Sequence, residues 1–159
     1  MAKYGPAGVS EVVWVTTCAV PSAITTTEAN AGVDLTSFVR TLPDVPRTGN
    51  TIDVAVLSSK FEARQVGTRG GDSATIEILR DNAADTAYTT LSEDTAGFLV
   101  IARQGLATAG TFAIGDIVDV FPATVLTLAD GNPGRNDPDF AVVEFVLTAD
   151  PERNQTIAA

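Results

Sequence analysis

The sequence Gly70-Gly-Asp-Ser-Ala-Thr-Ile-Glu-Ile-Leu-Arg-Asp81 decides how the rest of the chain is interpreted. Two glycines interrupt the chain, and polar and apolar side chains then alternate. Because successive side chains of a β-strand point to opposite faces, Ile76 and Ile78 are expected to enter a core while Glu77 points to the other face. The segment predicts a strand over Ser73–Arg80 that keeps one carboxylate on its second face.

The segment Asp139–Thr148 has the same character near the end of the chain. Its sequence, Asp-Phe-Ala-Val-Val-Glu-Phe-Val-Leu-Thr, is apolar enough to be covered on both faces, yet it contains Glu144. Two such strands indicate a sheet with an unusual second face. We interpret this face as the lining of something shared between subunits.

The length and composition limit the architectures that the chain can adopt. With 159 residues, of which 45 % are hydrophobic, the chain is expected to form one domain over residues 1–159 with a substantial core. Its apolar runs are short, and none approaches the roughly 20 residues of a membrane helix. The N-terminal residues lack the apolar segment of a signal peptide, which predicts synthesis in a cytoplasm. The one cysteine, Cys18, excludes an intrachain disulfide.

The charge excludes one class of function. The chain has 20 acidic residues, 10 basic residues and no histidine, which gives a net charge of −10. Proteins that grip nucleic acid by its phosphates need clustered lysines and arginines, and here the basic residues are scattered. Two interpretations of the acidity stay open, namely solubility and repulsion of something anionic.

Further strands follow from β-branched and aromatic residues between turn signals. The predicted strands are Glu11–Cys18, Val33–Thr41, Thr51–Ser59, Phe98–Arg103, Asp116–Leu128 and Asp139–Leu147. Lys60–Arg69 either continues the third of these as a ribbon or forms a loop. Asp130–Asp137 is a dense turn signal that predicts a hairpin between the last two strands.

The segments between the strands complete the predicted architecture. Pro21–Ala31 is predicted to be a loop, and Leu42–Asn50, with two prolines and a glycine, a protruding loop or arm. Asn82–Ala96 is the one predicted helix, about three turns long. The polar tail, residues 150–159, is expected to be flexible and ordered only by a partner. The predicted fold class is therefore mainly β, an antiparallel β-sandwich or barrel with one short flanking α-helix.

Catalytic motifs are not found in the sequence. Without histidine the chain lacks the usual general base, Ser-His and Cys-His pairs, and zinc ligands. Cys18 is interpreted as a small half-buried residue. Carboxylate pairs such as Asp116 with Asp119, or Glu93 with Asp94, could act on a sugar, but their spacing does not define a distance. We therefore predict no enzyme activity, no catalytic residue and no cofactor.

A calcium site is the other hypothesis considered. Asp130–Asp139 contains several hard oxygen ligands. Against the twelve-residue calcium loop the pattern fails, because position six is Arg135 instead of Gly and position twelve is Ala141 instead of Glu. The segment is interpreted as a turn, and no metal site is predicted.

The order of these segments resembles that of the tail tube (major tail) proteins of long-tailed bacteriophages. The resemblance rests on the arm near Leu42–Asn50, the strand ending in Ile-Glu-Ile-Leu-Arg-Asp81, and the helix near Ala83–Thr95. Gly97-Phe-Leu-Val-Ile-Ala-Arg-Gln-Gly105 and the apolar strand Phe140–Leu147 complete it. It implies a β-sandwich or barrel with one flanking helix, assembled as six-membered rings whose sheets join into one inner barrel and which stack through loops and terminal arms.

Within this resemblance the acidity and the isolated carboxylates gain a role. An electronegative bore would repel passing DNA. The candidate lumen-facing residues are Glu77, Asp116, Asp119 and Glu144. The alternative for all four is an ordinary solvated outer face. The candidate ring-stacking contacts are Leu42, Pro43, Asp44, Val45, Pro46 and Arg47, for which the alternative is a mobile loop.

The implied function is that of a structural virion protein of the phage tail, made and assembled in the host cytoplasm. The implied partners are further copies of the chain in hexameric rings, together with tape-measure, tail-tip and tail-terminator proteins. Genomic DNA is expected only in transit, without tight binding, and neither a membrane nor a small-molecule substrate is expected. The alternatives are a tail terminator or head-tail connector, which would stop at one ring, and a carbohydrate- or protein-binding β-sandwich module.

Overall fold

The computed structural model describes residues 8–54, 63–71 and 73–159. Within these ranges the strands are β1 Glu11–Val15, β2 Val33–Asp34, β3 Arg47–Asp53, β4 Arg64–Gly71, β5 Ala74–Leu79, β6 Ala96–Ala102, β7 Ile117–Asp130, β8 Phe140–Leu147 and β9 Glu152–Thr156. The helices are a 3-10 turn at Pro21–Ala23, α1 Thr26–Asn30 and α2 Thr86–Thr90. All strand pairs are antiparallel. The predicted mainly β, antiparallel fold is confirmed.

Seven strands form the main sheet, in the order β2-β1-β6-β7-β8-β5 with β9 also paired to β7. β6 lies along one edge of β7, while β8 and then β9 lie along the other edge. The segment 33–40 connects the two outer strands. Leu35 N–H donates to the Val12 carbonyl at 2.9 Å, and Leu79 N–H donates to the Phe38 carbonyl at 2.8 Å. These bonds close the sheet on itself and satisfy backbone groups that an open edge would expose.

The inner face of this closed sheet holds the larger core. Trp14 is fully buried and stacks on Phe145, with ring centroids 5.5 Å apart. Ile76 and Ile78 are buried in the same cluster, as the alternation of β5 predicts. Gly97 makes room for Trp14, because a Cβ at this position would lie 2.7 Å from two indole carbons. No acceptor for Trp14 Nε1–H is present among the described residues.

The outer face is covered over only part of the sheet. A second core cluster joins Val13 and Val15 of β1, Val100 and Ala102 of β6, and Val118 and Val120 of β7, and it is covered by Ile24, Ala29, Phe112 and Ile157. β1 and β6 are therefore buried on both faces. The strands β5 and β8 contribute to the inner cluster alone, and this difference positions the site described below.

The segment Pro21–Ala31, predicted to be a loop, contains the helix α1. Thr25 caps it, because its Oγ1 accepts from Glu28 N–H at 3.3 Å while Glu28 Oε2 accepts from Thr25 N–H at 3.0 Å. This capping box stabilises one turn of helix that propensity alone would not support. Thr25, Thr26, Thr27 and Asn30, which are polar residues typical of a loop, here form the cap and part of this short helix.

The predicted helix Asn82–Ala96 is much shorter in the structure, where α2 spans Thr86–Thr90. Asp85 precedes it with a left-handed backbone, φ 44°, and β6 begins at Ala96. Threonines lower helix propensity because their branched Cβ loses rotamer freedom. A single turn is what remains between two strands.

Three further boundaries differ from the sequence prediction. Val33–Thr41 is a strand only at Val33–Asp34 and then turns, although Val39 bridges to β5. Strand β3 begins at Arg47, inside the predicted arm, and ends at Asp53. The rest of the predicted strand Thr51–Ser59, and much of the undecided segment Lys60–Arg69, fall at residues 55–62, outside the described residues.

The expected flexible tail at residues 150–159 is the clearest correction. Residues Glu152–Thr156 form β9, which pairs with Ile117–Val120 of β7, and Ile157 is buried in the outer core cluster. The polar composition of the tail concealed this, because β9 is an edge strand with mostly exposed side chains and its one apolar anchor lies just beyond it. No described helix is long and apolar enough to span a membrane.

Substitution of Thr25 tests the capping box. We expect Thr25→Ala to lower the free energy of unfolding by about 1 kcal/mol, because Glu28 N–H loses its acceptor. Thermal unfolding followed by circular dichroism measures the change. Thr27→Ala is the matched control, since Thr27 is exposed and its side chain makes no cap. Equal unfolding midpoints for both variants would contradict the role assigned to Thr25.

Candidate functional site

The four candidate carboxylates are distributed over three different environments. Glu77 of β5 and Glu144 of β8 lie on the outer face of the sheet, on neighbouring strands. Glu77 pairs in register with Val142, and Glu144 pairs with Thr75, so the two acids are diagonal cross-strand neighbours. The structure thus brings these two together, as members of one surface.

This surface, which we call the open face, is the uncovered outer side of β5, β8 and the second half of β7. It comprises Thr75, Glu77, Leu126, Val142, Glu144 and Val146. Leu126 is 49 % exposed and Val146 39 % exposed. Glu77 makes a loose ion pair with Arg40, 3.9 Å between Oε2 and Nη1, with both side chains substantially exposed, and such pairs contribute little stability. The open face is a mixed apolar and acidic surface, and no helix or strand of the described residues packs over it in a core cluster.

Asp119 lies on the opposite, inner side of β7 and is buried. Its side chain is 9 % exposed, Oδ2 accepts from Arg103 Nε–H at 2.8 Å, and Oδ1 accepts from Asn154 N–H at 2.9 Å. The carboxylate links the ends of β6, β7 and β9. A buried acid with a charged partner and a backbone donor has a structural role, so Asp119 does not share a surface with Glu77 and Glu144.

Asp116 lies in the turn before β7. Its Oδ2 accepts from Ala113 N–H at 2.9 Å, and its carbonyl accepts from Ile157 N–H at 2.9 Å. Short polar side chains that bind nearby backbone donors are typical of turns. Asp116 therefore shapes the loop that receives the C-terminal segment.

The six candidate stacking residues do not form one protruding arm. Pro43 and Val45 are buried, and Leu42 packs against the inner cluster. Asp44 and Pro46 are exposed, while Arg47 is exposed at the start of β3 and forms an ion pair with Asp150. Three of the six residues, Leu42, Pro43 and Val45, thus pack against the body of the protein.

The two strands β3, Arg47–Asp53, and β4, Arg64–Gly71, pair with each other as a separate hairpin outside the main sheet. Its described side chains are nearly all exposed, including Ile52 at 53 % and Val66 at 72 %. The contact of Gly71 with Leu147 is close, since a Cβ on Gly71 would lie 2.5 Å from that side chain. The sequence signal for β4 was obscured by Gly67, Gly70 and Gly71, which break the apolar alternation used to recognise strands.

A polar cluster at the far end of β5 was not foreseen from the sequence. Arg80 Nε–H donates to Asp85 Oδ2 at 2.8 Å, its Nη1–H donates to Asp130 Oδ1 at 2.8 Å, and its guanidinium lies 3.8 Å from the centre of the Tyr88 ring. The hydrogen bond to Asp85 raises the pKa of Arg80, and partial desolvation raises that of Tyr88. The cluster ties β5, α2 and the end of β7 together.

Three further features of the described residues are a groove beside β1, the thiol of Cys18 and the distribution of possible metal ligands. A groove of about 630 Å³ beside β1 is lined by residues 8–12, 36 and 39–42, with Glu11 and Arg40 as its charged residues. Cys18 is half-buried, and burial raises the pKa of its thiol, which disfavours the nucleophilic thiolate. Within residues 8–54, 63–71 and 73–159, no three His, Cys, Asp or Glu side chains converge to hold a metal ion.

Comparisons with known proteins agree with the sequence resemblance. The sequence matches the family described as "Phage tail tube protein" over residues 2–159. No curated protein matches it. Its fold is similar to a chain in the six-fold symmetrised cryo-EM structure of the anti-feeding prophage (AFP) baseplate, with a TM-score of 0.61, 12 % sequence identity and 96 % coverage of each chain.

Substitutions that remove the negative charge distinguish the structural role of the buried Asp119 from that of the acids on the open face. We expect Asp119→Asn to lower the free energy of unfolding by about 1–3 kcal/mol, because the buried Arg103 contact and the Asn154 hydrogen bond are weakened. Glu144→Gln should change it by less than about 0.5 kcal/mol, as surface substitutions do. Urea unfolding of both variants measures the difference, and an unaffected Asp119→Asn variant would contradict the structural assignment.

Proposed function

The chain belongs to the phage tail tube protein family and is a structural component of the phage tail, and on this premise we propose that it assembles into six-membered rings that stack into the tail tube. DNA passes through the bore of this tube into the host. The protein is made in the host cytoplasm and works in the virion with tape-measure, tail-tip and tail-terminator proteins. The tail tube family is structural and in general non-catalytic.

The observation that carries this proposal is the open face. β5, β8 and the second half of β7 bury one face in their own core, and no described residue covers the other face as part of a core cluster. Exposed apolar residues that lie together, such as Leu126 and Val146, mark a surface that meets other molecules. Joining of the sheets of neighbouring copies would bring these strands together around a common axis, with their second faces towards the bore.

The charge of the open face supports a bore for DNA. Six copies of a chain with net charge −10 carry about −60 before counterions bind. Salt limits the reach of each charge to about 8 Å at physiological ionic strength, so only carboxylates on the bore surface act on the DNA. In this proposal Glu77 and Glu144 line the bore, where they would repel phosphates and allow transit without binding.

Within the proposal, only two of the four candidate lumen-facing residues remain. Glu77 and Glu144 remain as bore residues, whereas Asp119 and Asp116 are occupied by Arg103 and by backbone donors. For ring stacking, the hairpin of β3 and β4 replaces the predicted segment Leu42–Arg47 as the main contact. Of that segment, Asp44, Pro46 and Arg47 remain exposed beside the hairpin base.

A carbohydrate-binding module is less well supported. Sugar sites use exposed aromatic rings as platforms, and the large exposed apolar side chains in the described ranges are valine, isoleucine and leucine. A tail terminator or head-tail connector would also form rings. It differs from a tube protein because its rings would not stack.

Negative-stain electron microscopy of the purified protein over a range of concentrations tests the proposal. We expect rings that stack into hollow tubes as the concentration rises. Rings that never stack would favour a terminator or connector instead. A monomer that stays single even with tail-tip components would contradict the tube.

Charge reversal on the open face tests the bore. We expect Glu77→Lys with Glu144→Lys to leave rings and tubes intact but to lower infectivity, because a cationic wall retains phosphates. The variant Glu77→Gln with Glu144→Gln is the matched control, since it removes the charges without creating attraction. Plaque counts and DNA release from purified virions measure the effect. Normal DNA release from virions with the lysine variant would overturn the lumenal assignment.

A further inference from the structure

Two arginines share one face of the paired strands β3 and β4. Arg47 of β3 lies opposite Gly71 in the strand register, and Arg69 of β4 lies opposite Gly49. Because Arg69 and Gly71 are two residues apart on one strand, they belong to the same face, and Arg47 joins that face as the partner of Gly71. The two arginines are therefore diagonal cross-strand neighbours, a separation that long side chains can bridge. Each arginine has a glycine directly across from it instead of an acid.

These arginines line a pocket where the two strands meet the body of the protein. The pocket has a volume of about 250 Å³, and residues 47, 69–71 and 147–151 line it. Its walls are thus the base of the hairpin, the end of β8 and the segment that leads to β9. Gly70 and Gly71 contribute no side chain that could fill the space between the arginines and this segment.

The pocket carries surplus positive charge. Of its described lining residues Asp150 alone is acidic, and it forms an ion pair with Arg47. Arg69 is exposed and makes no ion pair with any other residue that the structure describes. Two arginines and one aspartate give the lining a charge of +1, in a chain whose net charge is −10. Thr148 adds a hydroxyl group to the same lining.

The donors of the pocket match a single oxyanion. The planar guanidinium of an arginine presents paired N–H groups whose spacing fits two oxygens of a phosphate or carboxylate, and such charge-assisted hydrogen bonds are among the strong ones. Arg69 has its donors available, Arg47 keeps those that Asp150 does not occupy, and Thr148 can donate its hydroxyl. A phosphate has enough oxygens to accept from all three side chains at once, whereas a carboxylate has only two.

We propose that this pocket binds a small anion of the phosphate class, held by Arg47, Arg69 and Thr148. The anion neutralises the surplus charge of the lining. It also connects the hairpin to the body, because Arg69 belongs to β4 whereas Thr148 directly follows β8. All the residues of the site belong to one copy of the chain, so this site goes beyond the tube function and does not depend on ring formation.

The charge of the rest of the chain favours a small anion over a nucleic acid. With +1 in the pocket and −10 in total, the other residues sum to −11. A nucleic acid strand that placed one phosphate in the pocket would bring its neighbouring phosphates over this acidic surface, where they need further clustered cations for binding. A free phosphate presents its charge at one point and avoids this repulsion.

Titration of the full chain with inorganic phosphate tests the site. Isothermal titration calorimetry in a chloride buffer at constant ionic strength should show saturable binding. We expect Arg69→Gln to weaken the affinity at least about tenfold, because the anion loses a charged donor. Arg64→Gln is the matched control, since Arg64 is exposed on the same strand outside the pocket and each substitution changes the net charge from −10 to −11. Circular dichroism verifies the fold of each variant.

Substitution of Asp150 leads to a prediction of the opposite sign. Asp150 competes with the anion for Arg47, so we expect Asp150→Asn to raise the affinity for phosphate about threefold, in line with the small energy of an exposed ion pair. Asp139→Asn is the matched control, because Asp139 lies at the other end of β8 and each substitution changes the net charge from −10 to −9. An equal rise in both variants would reveal a general charge effect and overturn the site.

Two further results would overturn the proposal. One is the absence of saturable phosphate binding, and the other is an equal affinity of the Arg69→Gln and Arg64→Gln variants. A single-stranded oligothymidylate that binds more tightly than free phosphate, and loses this binding with Arg69→Gln, would replace the small anion by nucleic acid as the occupant. Phosphate binding that Arg69→Gln weakens, Arg64→Gln leaves unchanged and Asp150→Asn strengthens would establish the site.

Discussion

The hydrogen bonds that residues 33–40 make with β1 on one side and β5 on the other close the main sheet. Closure gives the sheet an inside, which Trp14, Phe121 and Phe145 fill, and an outside that has to be covered by other segments. Inner and outer side chains alternate along every strand. The position of each outward residue is therefore fixed by the packing of its inward neighbours.

The covering segments suffice for part of the outside. α1, Phe112 and Ile157 cover β1, β6 and the first half of β7, and no described residue extends this outer cluster over β5 and β8. In a monomeric protein, such a surface is normally covered by other segments or carries many charged side chains. Here the open face carries two carboxylates among valines and a leucine. This composition suits a surface whose edges contact neighbouring copies and whose centre is exposed to water. The open face, which we propose as the assembly surface, therefore begins where the covering segments end.

Strand alternation was sufficient to predict the inner core, because Ile76 and Ile78 obey a local rule that tertiary structure only reinforces. The same rule failed where partners are distant in sequence. Arg103 neutralises Asp119 from another strand, and the β9 strand exists because β7 offers it an edge. The Thr25–Glu28 capping box was visible in the sequence but was outweighed by polar composition. The segment that contains Pro43 and Val45 was predicted to be an arm because prolines indicate a loop. They do not indicate whether the neighbouring side chains point into the protein.

The fit between Trp14 and Gly97 has a consequence for how related chains vary. The indole occupies the space that a side chain at position 97 would need, and its N–H bonds to nothing described. The indole therefore contributes to the core through its volume, which fits the space that Gly97 leaves. A chain with a smaller residue at position 14 would have a void that a larger residue at position 97 could fill. These two positions, on paired strands, are expected to covary during evolution, and the pair measures how far a relative keeps the same inner core.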